Sequence, residues 1–215
     1  HGTLTDPNSG IISSGDLPYT LISGGDTVVY DPDTNYLGAD SFDFQVTDGG
    51  LFSNVAQIAI DVQPVLALPF YEPFATTTLS SQRWAITSGV TVDDVGLNEP
   101  SAPYSARFNA APNGGDQLES YAIDLTGLAD IHLRYAYERT GGGESPDAGE
   151  DLVVDYFDVN ETWVELTRYA GDGADMGDYV VEDFLLPADA LHEQFRVRFT
   201  NSSTSNTVLD DWFVD

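Results

Sequence analysis

The chain contains no cysteine and no lysine. Without cysteine there can be no disulfide, no thiolate metal site and no cysteine nucleophile, and the fold must rest on its core alone. Without lysine, seven arginines face 36 aspartates and glutamates, a formal net charge of −29 over 215 residues. Nucleic acid and anionic membrane both need lysine and arginine patches, so neither is an expected partner. Self-repulsion on this scale opposes the compact state unless salt or divalent cations screen it, which suits a saline, halophilic or calcium-rich exterior. No apolar run approaches the roughly 20 residues of a membrane-spanning helix, so membrane insertion is not expected. Sustained 3.6-residue periodicity is missing, and the best helical candidate, residues 187–192, is barely one turn. There is no Gly-x-Ser-x-Gly and no histidine pair at metal spacing, and the three histidines are scattered. Carboxylate pairs can be drawn anywhere in such a chain, so they do not argue for glycoside hydrolysis. The expectation is no catalysis.

A hydrophobic content of 41% with 12% aromatics supports a packed core rather than an acidic tail. Short alternating or apolar runs are broken about every 8–12 residues by Gly, Pro, Asp and Asn, the pattern of a sandwich or barrel. Strands are expected over residues 27–30, 41–47, 56–62, 105–109, 118–125, 131–139, 152–158, 163–168, 179–185, 194–200 and 208–214. Turn chemistry separates them at Asp31-Pro32-Asp33, Asp48-Gly49-Gly50, Asn113-Gly114-Gly115 and Gly141-Gly142-Gly143. The fold class is all-β. Two prolines flank an apolar link at residues 63–69, which divides the chain into modules 1–64 and 65–215. The chain begins at His1-Gly2 rather than methionine, which reads as a processed product or a piece of a longer polypeptide.

Residues His1-Gly2-Thr3-Leu4, Val28-Val29-Tyr30-Asp31-Pro32, 36–44, Val46-Thr47-Asp48-Gly49 and 54–62 carry a resemblance to bacterial cadherin-like and Ig-like tandem repeats. Phe42, Phe44 and Val46 would share one strand face, with Asp48-Gly49 turning into the final strand. The match begins midway through that repeat, so the early strands are missing. The resemblance then implies a partial sandwich completed by strands in cis or by another chain.

The second module resembles MAM-like and reelin-repeat-like jelly rolls of extracellular proteins. The residues that carry this are Phe70-Tyr71-Glu72-Pro73-Phe74, Trp84, Leu118-Glu119-Ser120, Ile123-Asp124-Leu125-Thr126-Gly127 and Ile131-His132-Leu133-Arg134-Tyr135. Asp151 to Tyr156 before Trp163, Phe195 to Phe199 and the closing Asp210-Asp211-Trp212-Phe213-Val214-Asp215 complete it. Jelly rolls of this kind often tie the first strand to the last through a buried Ca²⁺. The resemblance places Glu72 and Asp211 at the matching positions, with Asp116 as a third ligand; calcium takes six to eight oxygens, which carboxylates and loop carbonyls supply.

Other candidates carry two readings each. Asp172, Asp175 and Asp178, spaced among glycines, either wrap a cation or form a plain acidic loop without EF-hand ligand spacing. Arg107, Arg134, Arg196 and Arg198, together with His132 and Glu138, fall on the non-core face of strands. Arg134, Arg196 and Arg198 either bind an anionic or hydroxylated glycan through guanidinium forks or pair across strands with carboxylates such as Asp155 and Glu138. Trp163 and Trp212 alternate with apolar neighbours and read as core, which leaves Trp84 and Tyr169 as exposed candidates for sugar stacking. The functional expectation is a non-catalytic extracellular module of a large bacterial surface or secreted protein, acting in adhesion or carbohydrate binding and stabilised by calcium. Its rival is a structural segment of an extracellular filament or surface layer assembled by strand complementation between neighbouring chains.

Overall fold

The structure, a computed structural model, describes residues 1–34, 36–109, 115–201 and 210–215. Residues 113–114 of one expected turn and 208–209 of the last expected strand lie outside that set. The chain divides into two compact units, His1–Pro64 and Val65–Asp215. The described elements are β-strands, with three short 3₁₀ turns. The expected single helical turn is one of these, Ala188–Ala190.

In the first unit, β1 (Gly2–Asp6), β2 (Gly10–Ile12) and β3 (Val29–Pro32) form a three-stranded sheet with β1 in the middle. A separate hairpin joins β4 (Gly38–Phe44) to β5 (Ala56–Val62), with Phe42 opposite Ile58 and Phe44 opposite Ala56. β4 is shifted toward the N-terminus from its expected place. Val46 therefore lies beyond the strand, where its N–H donates to Ser53 Oγ at 3.1 Å and its carbonyl accepts from Ser53 N–H. β1 and β2 escaped the strand pattern because their alternation is short and glycine-bounded.

The second unit contains β6 (Trp84–Ser88), β7 (Thr91–Asp93), β8 (Ser105–Phe108), β9 (Asp116–Ser120), β10 (His132–Arg139), β11 (Leu152–Phe157), β12 (Trp163–Tyr169), β13 (Val180–Leu185), β14 (Val197–Asn201) and β15 (Trp212–Val214). They form two five-stranded sheets, ordered β13-β10-β15-β8-β7 and β12-β11-β14-β9-β6. All of these ladders are antiparallel. Removing the edge additions β6 and β7 leaves eight strands in jelly-roll order, switching sheets at every step except the β11–β12 hairpin. Phe108, Leu118, Leu152, Val154, Phe199 and Trp212 meet between the sheets as a closed apolar core. On β10, Leu133, Tyr135 and Tyr137 point into the core, as the alternation requires.

The outer face of the first sheet is not all solvent. His132 and Arg134 are exposed, but Ala136, Glu138 and Phe213 on the same face are buried. The segment after β7 covers them: Leu97 N–H donates to Glu138 Oε2 at 2.8 Å, and Gly142 N–H donates to the Val95 carbonyl.

Candidate functional site

The outer face of the second sheet is built by alternation on its three central strands and β12. Val153, Asp155 and Phe157 of β11 turn outward because Leu152, Val154 and Tyr156 fill the core. Arg196, just before β14, and Arg198 within it project beside them, with Glu119 of β9 on one flank and Trp163 of β12 on the other. The Arg196 guanidinium carbon lies 4.0 Å from the Phe157 ring centroid, and that of Arg198 lies 4.2 Å from the Trp163 ring. Phe157 and Trp163 meet edge to face at 5.3 Å. Each guanidinium is also held by a carboxylate: Arg196 Nη1 to Glu119 Oε1 at 2.7 Å, and Arg198 through Nε and Nη2 to Asp155 Oδ2 at 3.0 and 2.7 Å. The result is a platform of two planar cations and two aromatic rings whose charges are already balanced. It offers ring faces for stacking, spare N–H donors and carboxylate acceptors.

The expected ligand residues are distributed differently. Arg196 and Arg198 stand together, but Arg134 belongs to the other sheet, on the opposite side of the sandwich. It makes no hydrogen bond or ion pair among the described residues. Glu138 pairs with none of the arginines. Trp84 is core, 5% exposed, with its indole N–H donating to Glu72 Oε2 at 3.0 Å. Tyr169 also faces inward: its hydroxyl meets that of Tyr135 at 2.7 Å, and its ring stacks on Tyr137 at 3.8 Å. Trp212 is core as expected, whereas Trp163 is the stacking tryptophan. The pattern around Trp163 misled because the β-bulge in the β11–β12 pairing, between Val154 and Asp155, resets which side of β12 faces out.

Glu72, Asp116 and Asp211 form no common cluster among the described residues. Glu72 takes the Trp84 indole and Phe74 N–H, and Asp116 takes Asn109 N–H at 2.6 Å. Asp211 is gripped by Arg107 through Nε at 2.6 Å and Nη2 at 3.0 Å, and also accepts Glu144 N–H. Both Asp211 carboxylate oxygens are thus engaged by an arginine fork. The acidic loop disperses likewise: Asp175 is bound by Thr140 and Ser145, Asp178 by Asn98.

One residue before Asp211, the outcome differs. Asp147, Glu150 and Asp210 bring one carboxylate oxygen each within 4.8 Å of the others, and no other such trio occurs among the described residues. Burial, with the facing Glu150 second, pushes the Asp210 carboxyl up to about 6. The loop is fixed from below by Trp212, whose indole N–H donates to the Glu150 carbonyl at 2.8 Å. Sequence spacing gave no sign of this trio, because β11 and β15 lie in different sheets and the loop before β11 meets residue 210 only through the fold, where Trp212 bonds the Glu150 carbonyl.

Residues 2–61 match the sequence pattern of a bacterial Ig domain. No curated protein matches the chain. Solved structures with a similar outline include the second family 16 carbohydrate-binding module, 15% identical, covering 63% of this chain and 87% of its own with a TM-score of 0.39. A carbohydrate-binding module of the β-sandwich superfamily is 12% identical and covers 100% of this chain and 82% of its own, TM-score 0.44. A non-crystalline-cellulose-specific module of family 28 is 16% identical over 71% of this chain and 96% of its own, TM-score 0.38. No helix in the described residues is long and apolar enough to cross a membrane.

Proposed function

We propose that the chain is a non-catalytic extracellular part of a large bacterial surface or secreted protein, and that its MAM-like second unit binds carbohydrate. The single observation behind this is the Phe157–Trp163–Arg196–Arg198 platform on the outer face of a rigid sheet. Sugar rings present C–H faces that stack on aromatic planes, and their hydroxyls satisfy guanidinium donors and carboxylate acceptors together. Because both arginines are already neutralised by Glu119 and Asp155, in a protein of net charge −29, a hydroxylated neutral glycan fits better than a sulfated or uronic one. Affinity electrophoresis of the full chain against neutral and acidic polysaccharides tests this. Neutral glycan should retard the chain and Trp163→Ala should abolish retardation, with near-UV circular dichroism of the core unchanged. No retardation by any glycan, or equal retardation of the variant, overturns the reading.

The calcium expectation moves to Asp147, Glu150 and Asp210. Three converging carboxylates, two of them buried, are a fit for a hard cation that neutralises their repulsion. Millimolar Ca²⁺ should raise the melting temperature by mass action and a chelator should lower it. Asp210→Asn should erase most of that difference; a calcium response unchanged in the variant would rule this site out.

The rival assembly reading rests on the β4–β5 hairpin. Each of its strands has a partner on one side only, and Phe44, Val46, Leu51, Phe52, Val55 and Ile58 are exposed around it. If the hairpin recruits another chain's strand, sedimentation should show concentration-dependent association that Val46→Lys with Ile58→Lys removes. A monomer at all concentrations would leave glycan binding as the sole reading.

A further inference from the structure

The segment that covers the outer face of the first sheet encloses a second acidic site, which shares no residue with the Asp147–Glu150–Asp210 trio. Glu138 of β10 is 0% exposed. Its Oε2 accepts Leu97 N–H at 2.8 Å, while its Oε1 is buried with no hydrogen-bond partner among the described residues. Glu99, two residues beyond Leu97 in the covering segment, has a buried Oε1 in the same condition. Among the described residues neither carboxylate is in an ion pair. A buried acceptor without a partner is costly, more so when charged, and two of them on segments joined at Leu97 call for a ligand.

The backbone draws close around these oxygens. A Cβ on Gly96 would run into the Tyr179 hydroxyl and come within 3.2 Å of both Glu99 Oε1 and Ser105 Oγ. A Cβ on Gly141 would stand 2.9 Å from Glu138 Oε2. Glycine at these two positions thus lets the backbone come close to these carboxylate and hydroxyl oxygens, and a side chain at either would collide with them. The Tyr179 hydroxyl donates to Ser105 Oγ at 2.7 Å, which fixes both in place. The two glutamates sense each other: after burial, Glu99 is the next influence that raises the Glu138 carboxyl, to about 7, with Asp178 adding to it.

We infer that this corner binds a hard divalent cation of the calcium class through Glu138 Oε1 and Glu99 Oε1, the two buried oxygens left without a partner, with Ser105 and Tyr179 beside them. All the donors are oxygens, the set a hard cation selects. Bound there, the ion would tie the covering segment to β10 and keep Phe213 enclosed.

The test uses the full chain carrying Asp210→Asn, which silences the other acidic trio, and Tb³⁺ as the probe. Bound Tb³⁺ should give emission sensitised by tyrosine excitation and displaced by Ca²⁺. Glu138→Gln and Glu99→Gln should each weaken binding by about tenfold or more. Tyr179→Phe should cut the sensitised emission while Tb³⁺ still binds by direct titration, and Gly96→Ala should push Tyr179 and Glu99 aside and abolish binding. Near-UV circular dichroism shows that each variant is folded. Tb³⁺ affinity unchanged in folded Glu138→Gln and Glu99→Gln would overturn the inference, leaving Glu138 as a buried acid held in its protonated form. The glycan platform stands or falls separately, since it uses none of these residues.

Discussion

The two units solve the same problem, closing a β-sandwich, with opposite means. The second unit encloses aromatic and aliphatic side chains such as Phe108, Leu118 and Trp212 completely between its sheets. In the first, the only fully buried described residue is an aspartate, Asp6, 1% exposed. It accepts Ile22 N–H and Asn8 N–H at 2.8 Å each and the Tyr19 hydroxyl at 3.0 Å, drawing a strandless loop onto β1. Those donors, with the Ile22 amide foremost, hold its carboxyl below the ordinary aspartate range. The centre of the second unit is apolar and non-directional, whereas that of the first is polar and geometric. A 64-residue unit with one three-stranded sheet, one hairpin and no enclosed apolar layer has little hydrophobic stabilisation of its own.

That contrast is broken or sharpened first by core deletions. Phe108→Ala in the second unit should cost about 3–5 kcal/mol through lost burial and the cavity left behind. For a domain of this size that is a fall of about 6–20 °C in melting temperature. Phe42→Ala, on the half-exposed hairpin, should cost under about 1 kcal/mol. Calorimetry of the full chain and its two variants decides it. Equal losses would mean that the hairpin is covered as thoroughly as the jelly-roll core.

What the sequence shows of this molecule follows the same division. Alternation marks a strand most clearly where one face is firmly buried, as in β8, β10 and β11, which lie within a residue of their expected bounds; β13 and the exposed β5 match theirs as well. β4 slid by about three residues because its apolar positions are not fixed by a core, and a pattern without burial does not set register. Outward-pointing arginines were legible from the Phe-Arg-Val-Arg-Phe alternation, and so was their pairing across strands, realised by Glu119 and Asp155. That Arg134 stands apart was not legible, because sheet membership is a property of topology. The acidic sites were least legible: with 36 carboxylates, the choice of Asp210 over Asp211 for a cluster depends on which one meets Arg107 across the β8–β15 ladder. Glu138 reads as a surface residue until the covering segment is in place.

The pH response is the effect most specific to the comparison, because the two units should lose stability at opposite ends of the pH range. Asp6 has a folded-state pKa below its unfolded value of about 3.8, so the stability it contributes is present above that value and lost only as the pH falls through the lower one. Between pH 5 and 7.5 the Asp6 contribution is therefore flat. Glu138, raised from 4.5 to about 7, and Asp210, raised from 3.8 to about 6, bind their protons more tightly in the folded state. Their contribution is complete below the unfolded values and is lost as the pH climbs through 6 and 7. In chelator, which keeps divalent cations off both carboxylate sites, the melting temperature of the second unit should fall by about 2–6 °C from pH 5 to pH 7.5. Glu138→Gln should flatten that slope without changing the first unit's transition, and Ca²⁺ should restore the lost stability at the upper end by favouring the ionised carboxylates. A second unit equally stable at both pH values in chelator would show that Glu138 and Asp210 titrate as ordinary surface acids. Its buried polar groups would then behave like those of the first unit, and the comparison would lose its electrostatic half.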